Sequence, residues 1–115
     1  MSCRAGSVEA SRATYFSAVP TMYTMLAGLP ADVRPDTSSV RFAVCGAAPA
    51  SVELLERFES RYGIGLVEGY GLSEGSCAST GNPLHGKRKP GTVGTPLPGQ
   101  EIRIVDASGA TVPQG

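Results

Sequence analysis

The sequence predicts an α/β fold in which helices alternate with the strands of a parallel sheet. Two short β-forming runs, 14–18 and 40–45, each precede a stretch with apolar residues at helical spacing, and a third run begins at Leu66. This order is typical of parallel sheets built with right-handed crossovers. We therefore expect a three-layer parallel-sheet segment, ordered strand-helix-strand-helix-strand, followed by a β-hairpin.

The first strand and helix are predicted over 14–29. Residues 14–18 are mostly β-forming, and Pro20 suits the first turn of a helix, where a missing N–H costs nothing. Gly28 and Pro30 predict the end of this helix. Its buried stripe consists of apolar residues at helical spacing: Val19, Met22, Tyr23, Leu26 and Leu29.

The second strand and helix are predicted over 40–63. The run 40–45 is mostly apolar, as in a buried parallel strand, and residues 46–49 form a tight turn of small residues. Ser51 is the predicted N-cap of the helix and Gly63 its C-terminal stop. The predicted buried face consists of Val52, Leu55, Phe58 and Tyr62.

The third strand is predicted to begin at residues 66–68 and to lead into the loop 69–74. It completes an α/β core over 13–74. Many of the 15 glycines and nine prolines lie in the second half of the chain, so residues 75–98 are expected to be loop-rich.

A β-hairpin is predicted over 99–115. Residues 101–105 alternate between polar and apolar side chains, and residues 106–109 are typical of a turn. The alternation predicts that one face of the hairpin is solvated and the other covered.

The composition fits one domain and excludes several classes of protein. The 115 residues include ten basic and ten acidic ones, so no strong field favours nucleic acid or an anionic membrane. No apolar run is long enough to predict a transmembrane segment. Residues 1–7 lack the apolar core of a signal peptide and are expected to be disordered or a remnant of cloning.

The cysteines predict neither a disulfide framework nor a zinc site. Cys3, Cys45 and Cys77 are odd in number, widely spaced and without a Cys-x-x-Cys pair. Free thiols of this kind are typical of a reducing compartment, so we expect a cytoplasmic protein.

Two glycine-containing loops, 46–49 and 69–74, follow the second and third predicted strands. Ligands of parallel α/β sheets bind beyond the carboxyl ends of the strands, so both loops face one crevice if their strands are neighbours. Small residues in the first loop would let a flat base lie against the backbone, and Tyr70 could stack on its other face. Ser73 could donate to a phosphate oxygen, and Glu74 could bind Mg²⁺.

Each of these residues also has a purely structural interpretation. Tyr70 alone is more often a core or surface aromatic residue, Ser73 could cap a turn, and Glu74 could be a solvated charge. Only their combination at the ends of two predicted strands favours a nucleotide site.

Other motifs fit less well. Residues 81–88 nearly match a phosphate-binding loop, but Arg88 replaces the required Ser or Thr, and residues 87–89 are interpreted as an exposed basic turn. Cys77 and His85 would suit a nucleophile and its base, but the sequence does not fix their geometry.

Four segments of the chain, in order, resemble the adenylate-forming (AMP-binding) superfamily, which includes acyl-CoA synthetases and the adenylation domains of peptide synthetases. Residues 68–74 resemble its Gly-Tyr-Gly-x-Thr-Glu motif, with Ser73 in place of Thr. The other matching segments are 13–23, which contains Val-Pro-Thr, 41–49, and 90–99 together with 102–106.

The resemblance implies roles for individual residues. Gly46, Ala47 and Ala48 would line the adenine, with Glu68, Gly69 and Tyr70 on its other side. The Ser73 hydroxyl would contact the α-phosphate, and Glu74 would bind Mg²⁺. The acyl pocket would be lined by Gly71, Leu72, Cys77 and Ala78.

The resemblance also implies a reaction. A carboxylic acid and ATP would form an acyl-adenylate with release of pyrophosphate, and coenzyme A would then displace AMP. Fatty or aryl acids are favoured over amino acids. The family's phosphate-wrapping loop would lie before residue 1, and its ribose-binding Asp and C-terminal Lys after residue 115. We therefore expect an internal fragment of the large N-terminal domain of a fatty-acid–CoA ligase-like enzyme, and no synthetase activity from the fragment alone.

Two alternatives remain open from the sequence. The chain could be a non-catalytic module that binds a nucleotide or associates with itself through exposed sheet edges. It could also be a segment of a peptide-synthetase adenylation domain, whose acceptor is a carrier protein instead of coenzyme A.

Overall fold

The computed structural model of the chain describes residues 3–113. Its helices and strands, in chain order, are α1 (Cys3–Ser11), β1 (Tyr15–Ala18), α2 (Pro20–Ala27), β2 (Phe42–Cys45), α3 (Val52–Tyr62), β3 (Leu66–Tyr70), a 3₁₀ turn (Ser73–Gly75), β4 (Thr80–Gly81) and β5 (Thr95–Pro96). None of the helices in this described range is long and apolar enough to cross a membrane.

Helix α1 covers residues 3–7, which were expected to be disordered or a remnant of cloning. The helix ends at Ser11, whose Oγ donates to the carbonyl of Ser7 at 2.7 Å, and Arg12 follows with a left-handed φ of 48°. The part of that expectation concerning residues 1 and 2 lies outside the described residues.

The five strands form one mixed sheet in the order β1-β2-β3-β4-β5. Strands β1, β2 and β3 are parallel, with Ala18 opposite Cys45 and Cys45 opposite Glu68, which confirms the predicted strand–helix alternation. Strands β4 and β5 are antiparallel additions of two residues each, within the stretch expected to be loop-rich. Strands this short leave no readable periodicity in a sequence.

The helices lie on one face of the sheet, so the described residues form two layers and not the predicted three. Phe16 of β1 stacks on Tyr23 of α2 at 5.9 Å and lies edge-on to Phe58 of α3 at 6.4 Å. A small apolar cavity of about 250 Å³ among α1, β1, α2 and α3 places α1 on the same side. Two successive right-handed crossovers in one direction along a sheet place both helices on the same face, which explains the difference.

The core lies between this helix layer and the sheet. Tyr23 and Phe58 are almost completely buried, and their rings are 4.9 Å apart. The Tyr23 hydroxyl donates to the carbonyl of Val44 at 2.7 Å, which satisfies the polar end of a buried aromatic residue. Two residues assigned to buried faces, Val19 and Val52, are instead exposed by 38% and 43% because they flank the helix starts.

Helix α3 has the predicted ends. The Ser51 hydroxyl accepts a hydrogen bond from the Leu54 N–H, and Gly63 adopts a left-handed φ of 66° with its N–H bound to the Glu59 carbonyl. These caps fix where β3 begins and therefore where its carboxyl end lies.

The predicted hairpin at 99–115 is reduced, within the described residues, to one antiparallel bridge between Val105 and Thr111. Asp106 closes the turn, since its Oδ1 accepts from the N–H groups of Ser108 and Ala110. Neither face is covered, because Ile102, Ile104, Val105 and Val112 are 36–66% exposed. The turn lies where residues 106–109 predicted it, but the alternation of residues 101–105 does not correspond to a buried face.

Candidate functional site

A cleft of about 690 Å³ lies at the carboxyl ends of the three parallel strands. Because β2 and β3 are neighbours, the two glycine-containing loops share this cleft, as predicted. Eight of the predicted site residues line it: Gly46, Ala47, Glu68, Gly69, Tyr70, Gly71, Cys77 and Ala78.

The turn after β2 presents bare backbone to the cleft. A Cβ added to Gly46 would lie 3.8 Å from the Gly69 carbonyl of the neighbouring strand, so the two glycines form a smooth wall. Ala47 adopts a left-handed φ of 66°, which a residue with a side chain adopts at a cost. A planar ring can approach this wall closely.

Strand β3 extends further than predicted. Gly69 and Tyr70 belong to the strand, paired with Gly81 and Thr80 of β4, and not to a free loop. The pairing holds the Tyr70 backbone, while its side chain is 50% exposed at the cleft and can pack on a ligand.

The loop after Gly71 folds tightly back onto that glycine. A Cβ added to Gly71 would lie 1.6 Å from the Cys77 carbonyl oxygen, so no side chain fits there. The Leu72 carbonyl accepts from both the Gly75 and Cys77 N–H groups, and Ser76 and Cys77 have left-handed φ angles of 60° and 80°. The loop therefore places Cys77 and Ala78 in the cleft wall.

Four predicted site residues do not line the cleft. Ser73 and Glu74 form the exposed 3₁₀ turn beside it, Leu72 is 39% exposed, and Ala48 is exposed on the turn after β2. No group of three or more His, Cys, Asp or Glu side chains that could hold a metal ion occurs among the described residues, so Glu74 is not part of such a group. Such a carboxylate can hold a hard cation only together with other oxygen ligands, such as phosphates.

Glu68 lies between the cleft and the segment 82–92. Its Oε2 accepts from the Gly91 N–H at 3.0 Å, and its carbonyl accepts from the Asn82 N–H at 2.9 Å. Asn82 also donates from Nδ2 to the Thr92 carbonyl at 2.7 Å. These bonds fix the backbone of β3 beside the predicted adenine wall.

Arg88 anchors the same segment, which corrects the interpretation of residues 87–89 as an exposed basic turn. Arg88 Nη1 donates to Glu59 Oε1 on α3 at 2.5 Å and to the Leu66 carbonyl at 3.3 Å. Glu59 Oε1 also accepts from the Leu66 N–H at 2.7 Å. Sequence spacing contains no signal for this pairing, because Arg88 and Glu59 are 29 positions apart.

Two cysteines border the cleft, and their thiols have different environments. Cys45 is almost completely buried, and burial, with the charge of Glu68 adding to it, raises the pKa of its thiol to about 11. Cys77 is an exposed free thiol. Burial also raises the pKa of Tyr23, which touches the same core.

Several residues in the cleft wall were missed from the sequence. Phe42, Val44 and Val67 lie on the sheet face opposite the helices, and Thr80 and Leu97 come from β4 and the residue after β5. The alternation of Phe42 and Val44 along β2 was the available signal, since successive strand residues face opposite sides. The assignment of 40–45 as a wholly buried run concealed it.

The model of the family described as AMP-binding enzyme matches residues 3–115. The chain belongs to this family. The similarity covers the whole cleft and agrees with the resemblance seen in the motifs.

Curated relatives of the chain include CoA ligases. It is 38% identical over 97 residues to the long-chain-fatty-acid–CoA ligase of Bacillus subtilis (strain 168), covering 84% of this chain and 17% of the ligase. It is 41% identical over 110 residues to the mitochondrial malonate–CoA ligase of Mus musculus, covering 86% of this chain and 19% of that protein. The chain thus spans less than a fifth of the length of these two relatives.

A solved structure with the same fold is the anthranilate CoA ligase AuaEII in complex with anthranoyl-AMP. The TM-score is 0.89 at 28% identity, over 97% of this chain and 22% of the ligase chain. The fold predicted from the sequence is confirmed at this level: a segment of an adenylate-forming enzyme.

Proposed function

We propose that this chain is a segment of an ATP-dependent acyl-CoA synthetase. In the proposed reaction, the carboxylate of an acid attacks the α-phosphate of ATP, pyrophosphate leaves, and the thiol of coenzyme A then displaces AMP from the acyl-adenylate. The observation that carries the proposal is the shared cleft of the turn 46–49 and the end of β3, inside a chain that belongs to the AMP-binding enzymes.

The adenine is proposed to lie between the turn after β2 and the end of β3. Gly46, Ala47 and Ala48 would contact it through backbone and methyl groups. On the other side, Glu68 and Gly69 would supply backbone, and the Tyr70 ring would stack on the base. The wall formed by Gly46 and Gly69, which carries no side chains, and the half-exposed Tyr70 ring support this arrangement.

The triphosphate is proposed to pass over the 3₁₀ turn. Ser73 would donate its hydroxyl to the α-phosphate, and Glu74 would hold Mg²⁺ jointly with phosphate oxygens. The single exposed carboxylate of Glu74 fits such a shared site, because Mg²⁺ in proteins is typically bound by one or two carboxylates plus substrate phosphates. The ion would neutralise charge that develops during attack on the α-phosphate.

The acyl group is proposed to lie in the cleft against a wall formed by Gly71, Leu72, Cys77 and Ala78. The folded loop 71–78 supports this, since it brings Cys77 and Ala78 beside Gly71 in the cleft. We also propose a cytoplasmic location, because the exposed free thiol of Cys77 suits a reducing compartment.

The test is acid-dependent pyrophosphate release by the complete enzyme that carries this segment. Replacing Tyr70 by Ala should raise the KM for ATP about fivefold or more, since base–aromatic stacking contributes about 1–3 kcal/mol per base. Tyr70→Phe keeps the ring and should stay within about twofold of the parent. Equal effects of both variants, or no release with any acid, would contradict the proposal.

Self-association is a second proposal that one observation favours. In the part of the chain that the structure describes, β1 is an edge strand of the sheet, and over Tyr15–Ala18 it carries neither a charge nor a proline, the features that discourage an edge strand from pairing with a second copy. Light scattering of the 115-residue chain with and without AMP tests it. We expect the mass of a dimer both with and without AMP, and Ser17→Pro should abolish the dimer. The mass of a monomer at all protein concentrations would exclude self-association.

A further inference from the structure

Residues 89–92 form a turn whose sequence predicts its shape. Proline at the second position and glycine at the third are typical of a type II β-turn, which needs a positive φ at the third position. Gly91 has a φ of 76°, and the Thr92 N–H donates to the Lys89 carbonyl at 3.2 Å. The Thr92 hydroxyl donates to the same carbonyl at 2.7 Å. The turn is therefore a closed unit that can dock as a whole.

The Asn82 side chain binds both ends of this turn. Its Oδ1 accepts from the Lys89 N–H at 3.2 Å, and its Nδ2 donates to the Thr92 carbonyl at 2.7 Å. Nδ2 also donates to the Glu68 carbonyl at 3.4 Å. The partners are one N–H group and two carbonyls, so a side-chain amide, which carries both an acceptor and a donor group, matches all of them.

Glu68 completes the docking of the turn on β3. Its Oε2 accepts from the Gly91 N–H at 3.0 Å, and its carbonyl accepts from the Asn82 N–H at 2.9 Å. Gly69 and Tyr70 follow directly in the same strand. The residue that receives the turn is therefore the one that precedes these two residues of the proposed adenine wall.

The chain beyond the turn packs closely on β4. A Cβ added to Gly94 would lie 2.1 Å from the Gly81 carbonyl group and 2.3 Å from the Asn82 backbone nitrogen. Gly81 is in turn the register partner of Gly69. The turn, β4 and the carboxyl end of β3 thus form one packed unit, and the side chain of Asn82 links the turn to the strand.

We propose that Asn82 is a positioning residue for ATP. By docking the turn 89–92 on the end of β3, its side chain holds Gly69 and Tyr70 in the geometry that receives the adenine. The inference rests on the proposed function and adds to it a residue outside the motif 68–74. Without the amide, this wall must be ordered when ATP binds, which lowers the affinity. The adenine contacts do not change during the reaction, so their loss raises KM and leaves kcat.

Steady-state kinetics of the complete enzyme with Asn82→Ala test the inference. The KM for ATP should rise about fivefold, the effect of losing about one hydrogen bond, while kcat stays within about twofold. Tyr62→Phe is the matched control, because it removes a hydrogen bond of 2.7 Å to the Leu26 carbonyl on the helix side. It should lower stability and leave the KM for ATP unchanged. A fall in kcat at unchanged KM in Asn82→Ala, or the same rise in KM in both variants, would overturn the inference.

Asn82→Asp separates the hydrogen bonds from the shape of the side chain. Aspartate keeps the acceptor for the Lys89 N–H but presents an oxygen, instead of a donor, to the Thr92 carbonyl. The KM for ATP should therefore rise at least as much as in Asn82→Ala. A KM equal to that of the parent would overturn the inference and leave the proposed function standing.

Hydrogen exchange without ATP gives a readout that does not depend on activity. Exchange over 66–71 and 89–92 should be faster in Asn82→Ala and Asn82→Asp than in the parent, and exchange over α2 should be unchanged. Unchanged exchange over 66–71 in both variants would refute the positioning role even if the enzyme is active. Absence of acid-dependent pyrophosphate release from the parent would instead refute the proposed function.

Discussion

At the residue scale, Gly71 is the position where the site tolerates no side chain. A Cβ there would lie 1.6 Å from the Cys77 carbonyl oxygen, so Gly71→Ala must displace the loop that carries Cys77 and Ala78. We expect a loss of about 2 kcal/mol or more in the free energy of unfolding, measured by urea denaturation.

Gly46→Ala is the matched control for this change. Its Cβ would meet the Gly69 carbonyl at 3.8 Å, an ordinary contact, so the free energy of unfolding should change by less than about 0.5 kcal/mol. Equal destabilisation by the two variants would contradict the close packing at Gly71.

The buried thiol of Cys45 predicts a dependence of stability on pH. Burial raises its pKa from an ordinary value near 9 to about 11, so the native state holds the proton more tightly than the unfolded state. The resulting stabilisation is complete below pH 9 and is lost as the pH rises towards 11. The parent should lose roughly 2 kcal/mol more than Cys45→Ala between these limits in urea titrations.

Tyr23 is present in both proteins, so its own raised pKa contributes to both titrations. Parallel stability curves for the parent and Cys45→Ala would show that Cys45 ionises as easily in the native state as in the unfolded chain.

Thr80 predicts a stabilising substitution. Its side-chain oxygen, Oγ1, is buried and has no hydrogen-bond partner. It is the one such side-chain atom among the described residues that are not exposed. Thr80→Val keeps the shape and removes the unsatisfied hydroxyl, so the free energy of unfolding should rise by about 1 kcal/mol. Thermal denaturation measures the change, and a loss of stability would mean that the hydroxyl has a hydrogen-bond partner in solution.

At the element scale, the segment 82–92 depends on the Glu59–Arg88 pair. The side chains are each about one-third exposed, at 33% for Arg88 and 32% for Glu59, so solvent weakens their attraction. A double-mutant cycle with Glu59→Gln and Arg88→Met should give a coupling energy of about 1 kcal/mol that falls as salt is added.

Lys87→Met, which removes a neighbouring exposed charge, should leave stability unchanged within about 0.5 kcal/mol. Additive effects of the Glu59 and Arg88 substitutions would mean that these two side chains do not stabilise each other.

The elements were predictable from the sequence where their signals are local. Pro20, the Ser51 cap and Gly63 mark helix ends through the chemistry of single residues, and the structure has those ends. The strands β4 and β5 were not predictable, because two-residue strands depend on partners distant in the chain. The same reason hid the pairing of Arg88 with Glu59.

At the scale of the whole molecule, the candidate site could be predicted in outline. The order of strands and the two glycine-containing loops predicted one shared crevice, and β2 and β3 are neighbours. The sequence did not reveal that Ser73 and Glu74 lie outside the cleft lining, since that depends on how the loop 71–78 folds back on Gly71. It also did not reveal the two-layer arrangement, which leaves the apolar sheet face open to the cleft.

The central claim is that the carboxyl ends of β2 and β3 form the adenine-binding wall. Titration of the ¹⁵N-labelled chain with AMP, followed by amide chemical shifts, tests it most directly. We predict saturable shifts at Gly46, Ala47 and 69–71, with residues 7–13 on the helix side unmoved. The absence of saturable shifts, or shifts centred on the helix side, would contradict the claim.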